Sequence, residues 1–162
     1  MAKKTVYLET SVVSYLTARP SSDLMAAAWQ KATLDWWDTR RGRFDLYVSD
    51  TVVEEAGMGD SGAASRRLEA LDGIPVLALT DSVVMLSRAL IEAGAVPSKV
   101  PDDALHIAVS AVHGMDYLLT WNFRHIDNAE AKPMIRRICA ANGYACPEIC
   151  TPQELMGAIK NG

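Results

Sequence analysis

The chain of 162 residues is poor in the features on which several classes of protein depend. It has only three cysteines, which excludes a disulfide-stapled secreted scaffold and fits a reducing compartment. No apolar run approaches the roughly 18 residues of a membrane-spanning helix, and no clean signal-peptide core is present. Basic residues are not in excess, because 16 Lys and Arg face 20 Asp and Glu, a net charge of −4. We therefore expect a soluble cytoplasmic protein without a large basic surface.

Sequence motifs for several common chemistries are also missing. There is no GxGxxG or GxxxxGK[ST] loop to hold nucleotide phosphates and no GxSxG turn for a serine nucleophile. Cys146 and Cys150 are spaced too widely for a CxxC metal-binding or redox motif, and no histidine lies near them in the sequence. We expect these cysteines to be structural or incidental.

Short β-branched runs alternate with longer helical patterns along the whole chain. This alternation predicts an α/β fold, a single domain over residues 1–162 built as a three-layer α/β/α sandwich around a mostly parallel sheet. The predicted strands are Thr5–Leu8, Phe44–Val48, Ile74–Leu77, Asp116–Thr120 and Glu148–Ile149. The predicted helices are Ser11–Leu16 capped by Thr10 or Ser11, Ser22–Thr39, Asp50–Ala56, Ala63–Leu71, a helix from its cap Asp81 to Ala93, Asp102–His113, Ala129–Asn142 and a Thr151-capped turn.

Polar residues follow the predicted strands, where parallel α/β sheets bind their ligands. Glu9 comes directly after the first strand and Asn122 just after the fourth, while Glu54 and Glu55 lie in the helix after the second. Each has an ordinary alternative, because Glu9 can cap a helix, the glutamate pair can be a solvated helix face, and Asn122 can be a turn residue. Because the carboxyl ends of parallel strands lie at one edge of the sheet, we nevertheless expect the side-chain oxygens of these residues to meet there.

The helix Asp102–His113 is otherwise strongly apolar. At 100° per residue its polar side chains fall in one narrow arc, which predicts a helix that is buried on most sides and shows one polar stripe. The arc contains Asp102, Asp103, His106, Ser110 and His113. The alternative is an N-cap Asp102 followed by a first-turn Asp103 that favours the helix dipole.

An oxygen-rich, histidine-poor set of this kind suits hard cations such as Mg²⁺ or Mn²⁺. Carboxylates brought together without a cation repel one another, and binding a cation relieves that repulsion. Such ions also activate water during phosphodiester hydrolysis.

Four motifs in this order resemble those of the PIN-domain family, which includes the VapC-type toxins of toxin–antitoxin pairs. The acid–Thr/Ser–Ser run after strand one matches Glu9–Ser11, and the helix-borne glutamate matches Glu55, six residues after Ser49. The Asp-Ala-Leu-His-Ile-Ala helix matches Asp103–Ala108, and the Leu-Thr-x-Asp segment matches Leu119–Asn122. The resemblance covers roughly residues 5–152.

The resemblance implies a metal-dependent endoribonuclease that uses Mg²⁺ or Mn²⁺, with RNA as substrate, a cognate antitoxin as partner and a homodimer as the assembly. It implies the following catalytic and metal-binding residues: Glu9, Glu55, Asp103 and Asn122. Substrate-binding or supporting positions are Thr10, Ser11, Asp102, His106 and Arg124, with His125 beside the RNA backbone. For His106, a buried structural histidine is the alternative.

Two positions depart from the family pattern. Glu9 and Asn122 stand where the family usually has aspartate, so one carboxylate is displaced by a methylene and one ligand is neutral. The alternative function is therefore a catalytically weakened module that binds nucleic acid or a protein without efficient cleavage. A weaker alternative is a structural partner that docks through Trp29, Trp36 and Trp37.

The acidic net charge does not exclude a nuclease, because the acids are concentrated near the predicted site. Without the five carboxylates of Glu9, Glu54, Glu55, Asp102 and Asp103, 16 basic residues face 15 acidic ones. Seven arginines are then left to face a polyanion: Arg40, Arg41, Arg43, Arg66, Arg67, Arg136 and Arg137.

Overall fold

Five parallel strands form one sheet in the computed structural model, which describes residues 2–157. The strands are β1 (Lys4–Leu8), β2 (Phe44–Ser49), β3 (Val76–Leu77), β4 (Tyr117–Leu119) and β5 (Glu148–Cys150). Their order in the sheet is β3-β2-β1-β4-β5, and every pairing is parallel. The predicted parallel sheet is confirmed.

Seven helices within residues 2–157 connect and cover the strands. They are α1 (Thr10–Thr17), α2 (Leu24–Thr39), α3 (Asp50–Ala56), α4 (Ser61–Ala70), α5 (Asp81–Glu92), α6 (Pro101–Val112) and α7 (Lys132–Ala141), with 3₁₀ turns at Arg41–Arg43 and Glu154–Met156. Because parallel crossovers are right-handed, the chain's reversal at β1 puts α1–α4 on one face and α5–α7 on the other. The contacts agree, since α1 packs on α2, α3 and α4, and α5 packs on α6 and α7. The three-layer α/β/α architecture is confirmed.

Local sequence explains why these elements begin where they do. β1 is central in the sheet, and Val6, Tyr7 and Leu8 are fully buried, as expected for a strand covered on both faces. Side-chain oxygens cap α1 to α5, with Asp23 accepting from the Ala26 N–H of α2 and Asp60 from the Ala63 N–H of α4.

Several predicted caps and boundaries are wrong by a few residues. Glu9, and not Thr10 or Ser11, caps α1, and Thr80 rather than Asp81 caps α5. The β3 pairing begins only at Val76. Helix α7 begins at Lys132 instead of 129, because the Asn128 side chain accepts backbone N–H bonds and forms a turn before it.

The polar stripe predicted along α6 does not face solvent along its length. His106 and Ser110 are fully buried, whereas Asp102 is exposed and Asp103 and His113 are half-buried. Sequence periodicity places these side chains on one face of α6. In the structure the middle of that face, at His106 and Ser110, is buried. No helix among residues 2–157 combines the length and the apolar character that crossing a bilayer requires.

The tryptophans that the sequence offers, as a weaker alternative, for a docking surface are separated. Trp36 is fully buried and stacks on Phe44, and Trp37 is half-buried beneath the Arg41 guanidinium. Trp29 instead stacks on Trp121, with ring centroids 5.6 Å apart and planes 21° apart. Each indole therefore packs within the chain, which removes the basis for a docking surface made of three tryptophans.

Candidate active site

The direction of the chain through the sheet reverses between the carboxyl ends of β1 and β4, and we use the word cleft for the place at this edge where the acidic side chains gather. This topological switch point is the usual ligand position in open α/β sheets. Glu9 leaves β1 here, with its N–H donating to the Leu119 carbonyl at 3.0 Å. The residues after β4 approach the same point, because Thr120 Oγ1 donates to Glu9 Oε1 at 2.6 Å.

The Glu9 carboxylate is 5% exposed and is held by hydroxyl and amide donors. Ser11 contributes both its hydroxyl and its backbone N–H at the start of α1. The Ser11 hydroxyl oxygen also accepts the Trp121 N–H at 2.8 Å. Glu9 is thus both the N-cap of α1 and the innermost acid of the cleft.

Glu55 reaches the cleft from α3 and meets His106 from α6. Glu55 Oε1 lies 2.6 Å from His106 Nε2 and accepts the Thr10 hydroxyl, also at 2.6 Å. The sequence expectation that Glu55 rather than Glu54 faces the site agrees with this geometry, because Glu54 is exposed.

A buried chain of hydrogen bonds supports His106 from behind. Its Nδ1 lies 2.7 Å from the Tyr7 oxygen, which lies 2.8 Å from Ser49 Oγ. With His106 protonated, both ring N–H groups donate, to Glu55 and to Tyr7, and the phenol donates to Ser49. Tyr7 and His106 are both wholly buried, so each of these polar groups needs its partner.

The pKa shifts in this chain agree with an ion pair. Burial acts to raise the pKa of the Glu55 carboxyl, but the hydrogen bond and charge of His106 and the bond from Thr10 hold it below its ordinary value. Burial acts to lower the pKa of His106, but the bond to Glu55 and the nearby charges of Glu9, Glu55 and Asp103 raise it. Burial raises the pKa of Tyr7 and keeps the phenol neutral.

Glu9, Glu55 and His106 form one group whose ligand atoms all lie within 4.8 Å of one another. The donor set fits a divalent cation, because two carboxylates converge with only one histidine to balance their charge. In the geometry described, Nε2 of His106 is used by Glu55. The oxygens of Glu9 and Glu55 are therefore the donors best suited to a hard cation, and His106 is suited to holding Glu55.

Asp103 lies in the same cleft but is not a member of this group. Its Oδ2 is 2.9 Å from Nδ1 of His125, and the two side chains are 16% and 17% exposed. Its charge nevertheless contributes to the raised pKa of His106. The structure therefore brings Glu9 and Glu55 together, while Asp103 is paired with His125 and lies near enough to His106 to affect its pKa.

Asn122 uses its side-chain oxygen within its own loop. Oδ1 accepts the backbone N–H groups of Arg124 at 3.2 Å and His125 at 3.0 Å. Its own N–H donates to Thr120 Oγ1 at 2.9 Å. This is the turn alternative raised by the sequence, and its predicted role as a ligand stays a prediction. Asp102 and Arg124 are exposed at the rim.

A family model for the PIN domain matches residues 6–131, which is most of the chain. The chain belongs to the PIN domain family. No curated protein sequence matches it.

Two solved structures are similar to this PIN domain in fold. VapBC2 of Rickettsia felis, bound to a DNA fragment from its promoter, has a TM-score of 0.53 at 11% identity, over 74% of this chain and 89% of that chain. VapC20 of Mycobacterium tuberculosis, described as a sarcin–ricin loop cleaving toxin, has a TM-score of 0.53 at 14% identity, over 87% and 97%. At these identities the likeness establishes the fold.

Sequence reasoning missed three contributors to the PIN domain's cleft. Tyr7 reads as an ordinary strand residue, although it lies two residues before Glu9 and so points to the same face of the chain. Thr120 was assigned only to a strand end, and His125 was expected on the RNA backbone instead of on Asp103.

Proposed function

We propose that this PIN domain is a metal-dependent endoribonuclease that acts as the toxin of a toxin–antitoxin pair. The observation that carries the proposal is the convergence of Glu9 and Glu55 in one cleft, with ligand atoms within 4.8 Å. Asp103 is paired with His125, and its charge acts on His106 of the same group. Acids in this arrangement suit a hard cation and a phosphodiester better than any substrate that lacks negative charge.

Mg²⁺ or Mn²⁺ would be held by Glu9, Glu55 and Asp103, with Asn122 as a neutral fourth oxygen. When bound, such an ion lowers the pKa of water and neutralises charge on the phosphate. The protein's own groups do the positioning. His106 orients Glu55, His125 orients Asp103, and the hydroxyls of Ser11 and Thr120 fix Glu9.

Substrate contacts are assigned to groups at the rim of the cleft. Thr10 and Ser11 stand at the N-terminus of α1, a position that suits a phosphate. Their predicted substrate contact stays a prediction, because the Thr10 hydroxyl donates to Glu55 and the Ser11 hydroxyl and N–H donate to Glu9. Arg124 is exposed beside Asn122 and suits the RNA backbone, and Asp102 borders the same opening.

The biological context is proposed from the structural relatives. Both similar structures carry toxin or toxin–antitoxin names. For this chain we propose a cognate antitoxin and a homodimeric assembly. Induced expression should arrest growth for the wild type and not for Asp103→Ala.

The direct test is cleavage of fluorescent single-stranded RNA by the purified protein. We expect cleavage with Mg²⁺ or Mn²⁺, none with EDTA, and loss of cleavage in Asp103→Asn. Asp81→Asn is the matched control, because Asp81 occupies the first turn of α5 and is exposed. Cleavage by Asp103→Asn at the wild-type rate would show that the proposed site is wrong.

A second function is a binding module that has lost efficient chemistry. It is favoured by the Asn122 oxygen, which is used within its own turn, and by the substitution of Glu9 for aspartate. Calorimetric titration with Mn²⁺ separates the two functions. Tight binding that is lost in Asp103→Asn counts against the binding-only module.

A further inference from the structure

A recess of about 450 Å³ lies beside the cleft, between α1 and α4. Three arginines and two hydroxyl residues contribute to its wall, against a single acid. These residues are Arg19, Arg66, Arg67, Ser14, Thr17 and Asp60. The chain as a whole has a net charge of −4, so the excess of positive charge in this recess is opposite in sign to the protein's net charge.

Two guanidinium groups in the recess are fixed by the backbone. Arg66 Nε donates to the Thr17 carbonyl at 3.2 Å, and Arg67 donates to the Ala56 and Met58 carbonyls at 2.9 and 2.6 Å. Each guanidinium has five N–H donors, so donors remain for a ligand. Arg19 is exposed, and its side chain makes no hydrogen bond within residues 2–157.

The recess and the acid cluster are connected through α1 and through a hydrogen bond from α4 to α3. On α1, Thr10 contacts Glu55, and Ser14 lies one turn further along the same face. That turn corresponds to a displacement of about 6 Å. On the other side, the Ala56 carbonyl held by Arg67 belongs to the residue directly after Glu55.

We propose that this arginine recess binds a phosphate of the RNA strand adjacent to the phosphodiester that lies at Glu9 and Glu55. The inference rests on the proposed ribonuclease function for the identity of the strand. Fixed guanidinium groups bind phosphate oxygens with good geometry. A single strand that follows α1 would then pass from the acid cleft to the recess, which gives the path of the RNA over the protein.

The test measures the affinity of a short fluorescent single-stranded RNA by anisotropy, in EDTA and over a series of salt concentrations. EDTA prevents cleavage, so the result is independent of whether the protein is a nuclease. Each phosphate contact contributes about 0.7 to the slope of log K against log salt for single strands. We expect Arg19→Ala to lower the slope by about 0.7 and Arg19→Lys to keep most of it.

Arg88→Ala is the matched control, because Arg88 is exposed on α5, which packs on α6 and α7. Arg66→Gln is the second test variant, with its thermal stability measured because Arg66 also bonds Thr17. An unchanged slope in Arg19→Ala overturns the proposal, and so does a failure of the wild type to bind RNA. Arginine-dependent binding of poly-glutamate without RNA binding also overturns it and identifies an acidic protein segment as the ligand.

Discussion

The two halves of the cleft are built differently. The inner half, made of Glu9, Glu55 and His106, is anchored by β1, α3 and α6 and backed by the buried Tyr7 phenol. The outer half, made of Asp103, Asn122 and His125, depends on the loop after β4, where Asn122 bonds the backbone of its own turn. Buried, mutually bonded groups are preorganised, whereas a half that depends on a loop can adjust.

The difference suggests how such a site tolerates unusual residues. Both departures from the family's pattern, Glu9 and Asn122, are absorbed locally. The longer Glu9 carboxylate is fixed by Ser11 and Thr120, and Asn122 keeps the side-chain acceptor for its turn that an aspartate would also provide. Substitutions in each half test this comparison.

The largest effect is expected in the inner half. Glu55→Gln removes a carboxylate from the proposed metal site and the charged partner of His106, so RNA cleavage should fall more than about 100-fold. Glu54→Gln is the matched control, because Glu54 is the exposed neighbour on α3. Initial rates on fluorescent RNA measure both. Equal cleavage rates for Glu55→Gln and Glu54→Gln would show that Glu55 takes no part in cleavage.

A smaller effect is expected for His125→Ala in the outer half. The substitution leaves Asp103 in place but removes the group that orients it, for which a loss of about 10–100-fold in activity or metal affinity is typical. His113→Ala is the control, since His113 bonds the Ala78 carbonyl outside the cleft. A His125 variant with full activity would show that Asp103 needs no orienting partner.

The hydrogen-bond chain behind the inner half is tested by Tyr7→Phe. The phenol is the partner of both His106 and Ser49, so its removal leaves buried polar groups unpaired and should cost about 1–3 kcal/mol of the free energy of unfolding. Urea denaturation measures the change. Tyr47→Phe, in half-buried surroundings on β2, is expected to be close to wild type.

The smallest effect is expected for Asn122→Asp. A carboxylate keeps an acceptor for the turn and adds a negative charge near the proposed metal, so the Kd for Mn²⁺ should fall about threefold to tenfold. Isothermal titration calorimetry gives the ratio. An unchanged Kd would indicate that residue 122 only shapes the loop.

Sequence reasoning could reach the fold and the inner acids because both follow from local patterns. Alternating strand and helix periods predicted the sheet. Strand-end positions brought Glu9 and the Glu54–Glu55 pair to one edge, and the resemblance to the PIN-domain motifs implied Glu55. The pairing of Asp103 with His125 was out of reach, because it depends on the path of a loop fixed by tertiary bonds. The burial of His106 could not be predicted either. The helical period shows which side chains share a face of α6, but it does not show whether another element covers that face.

The stacked indoles of Trp29 and Trp121 give this protein a built-in optical probe of its cleft. Trp121 is bonded through its backbone to Ser11 and through its indole N–H to Thr33 on α2. Ser11 also holds Glu9, so a shift of that carboxylate on binding of the proposed metal should alter the surroundings of the stack. Trp36 stacks on Phe44 and Trp37 packs against Arg41, so both are expected to contribute a constant background. We therefore expect intrinsic fluorescence to report metal binding in unlabelled protein, including variants with no measurable turnover.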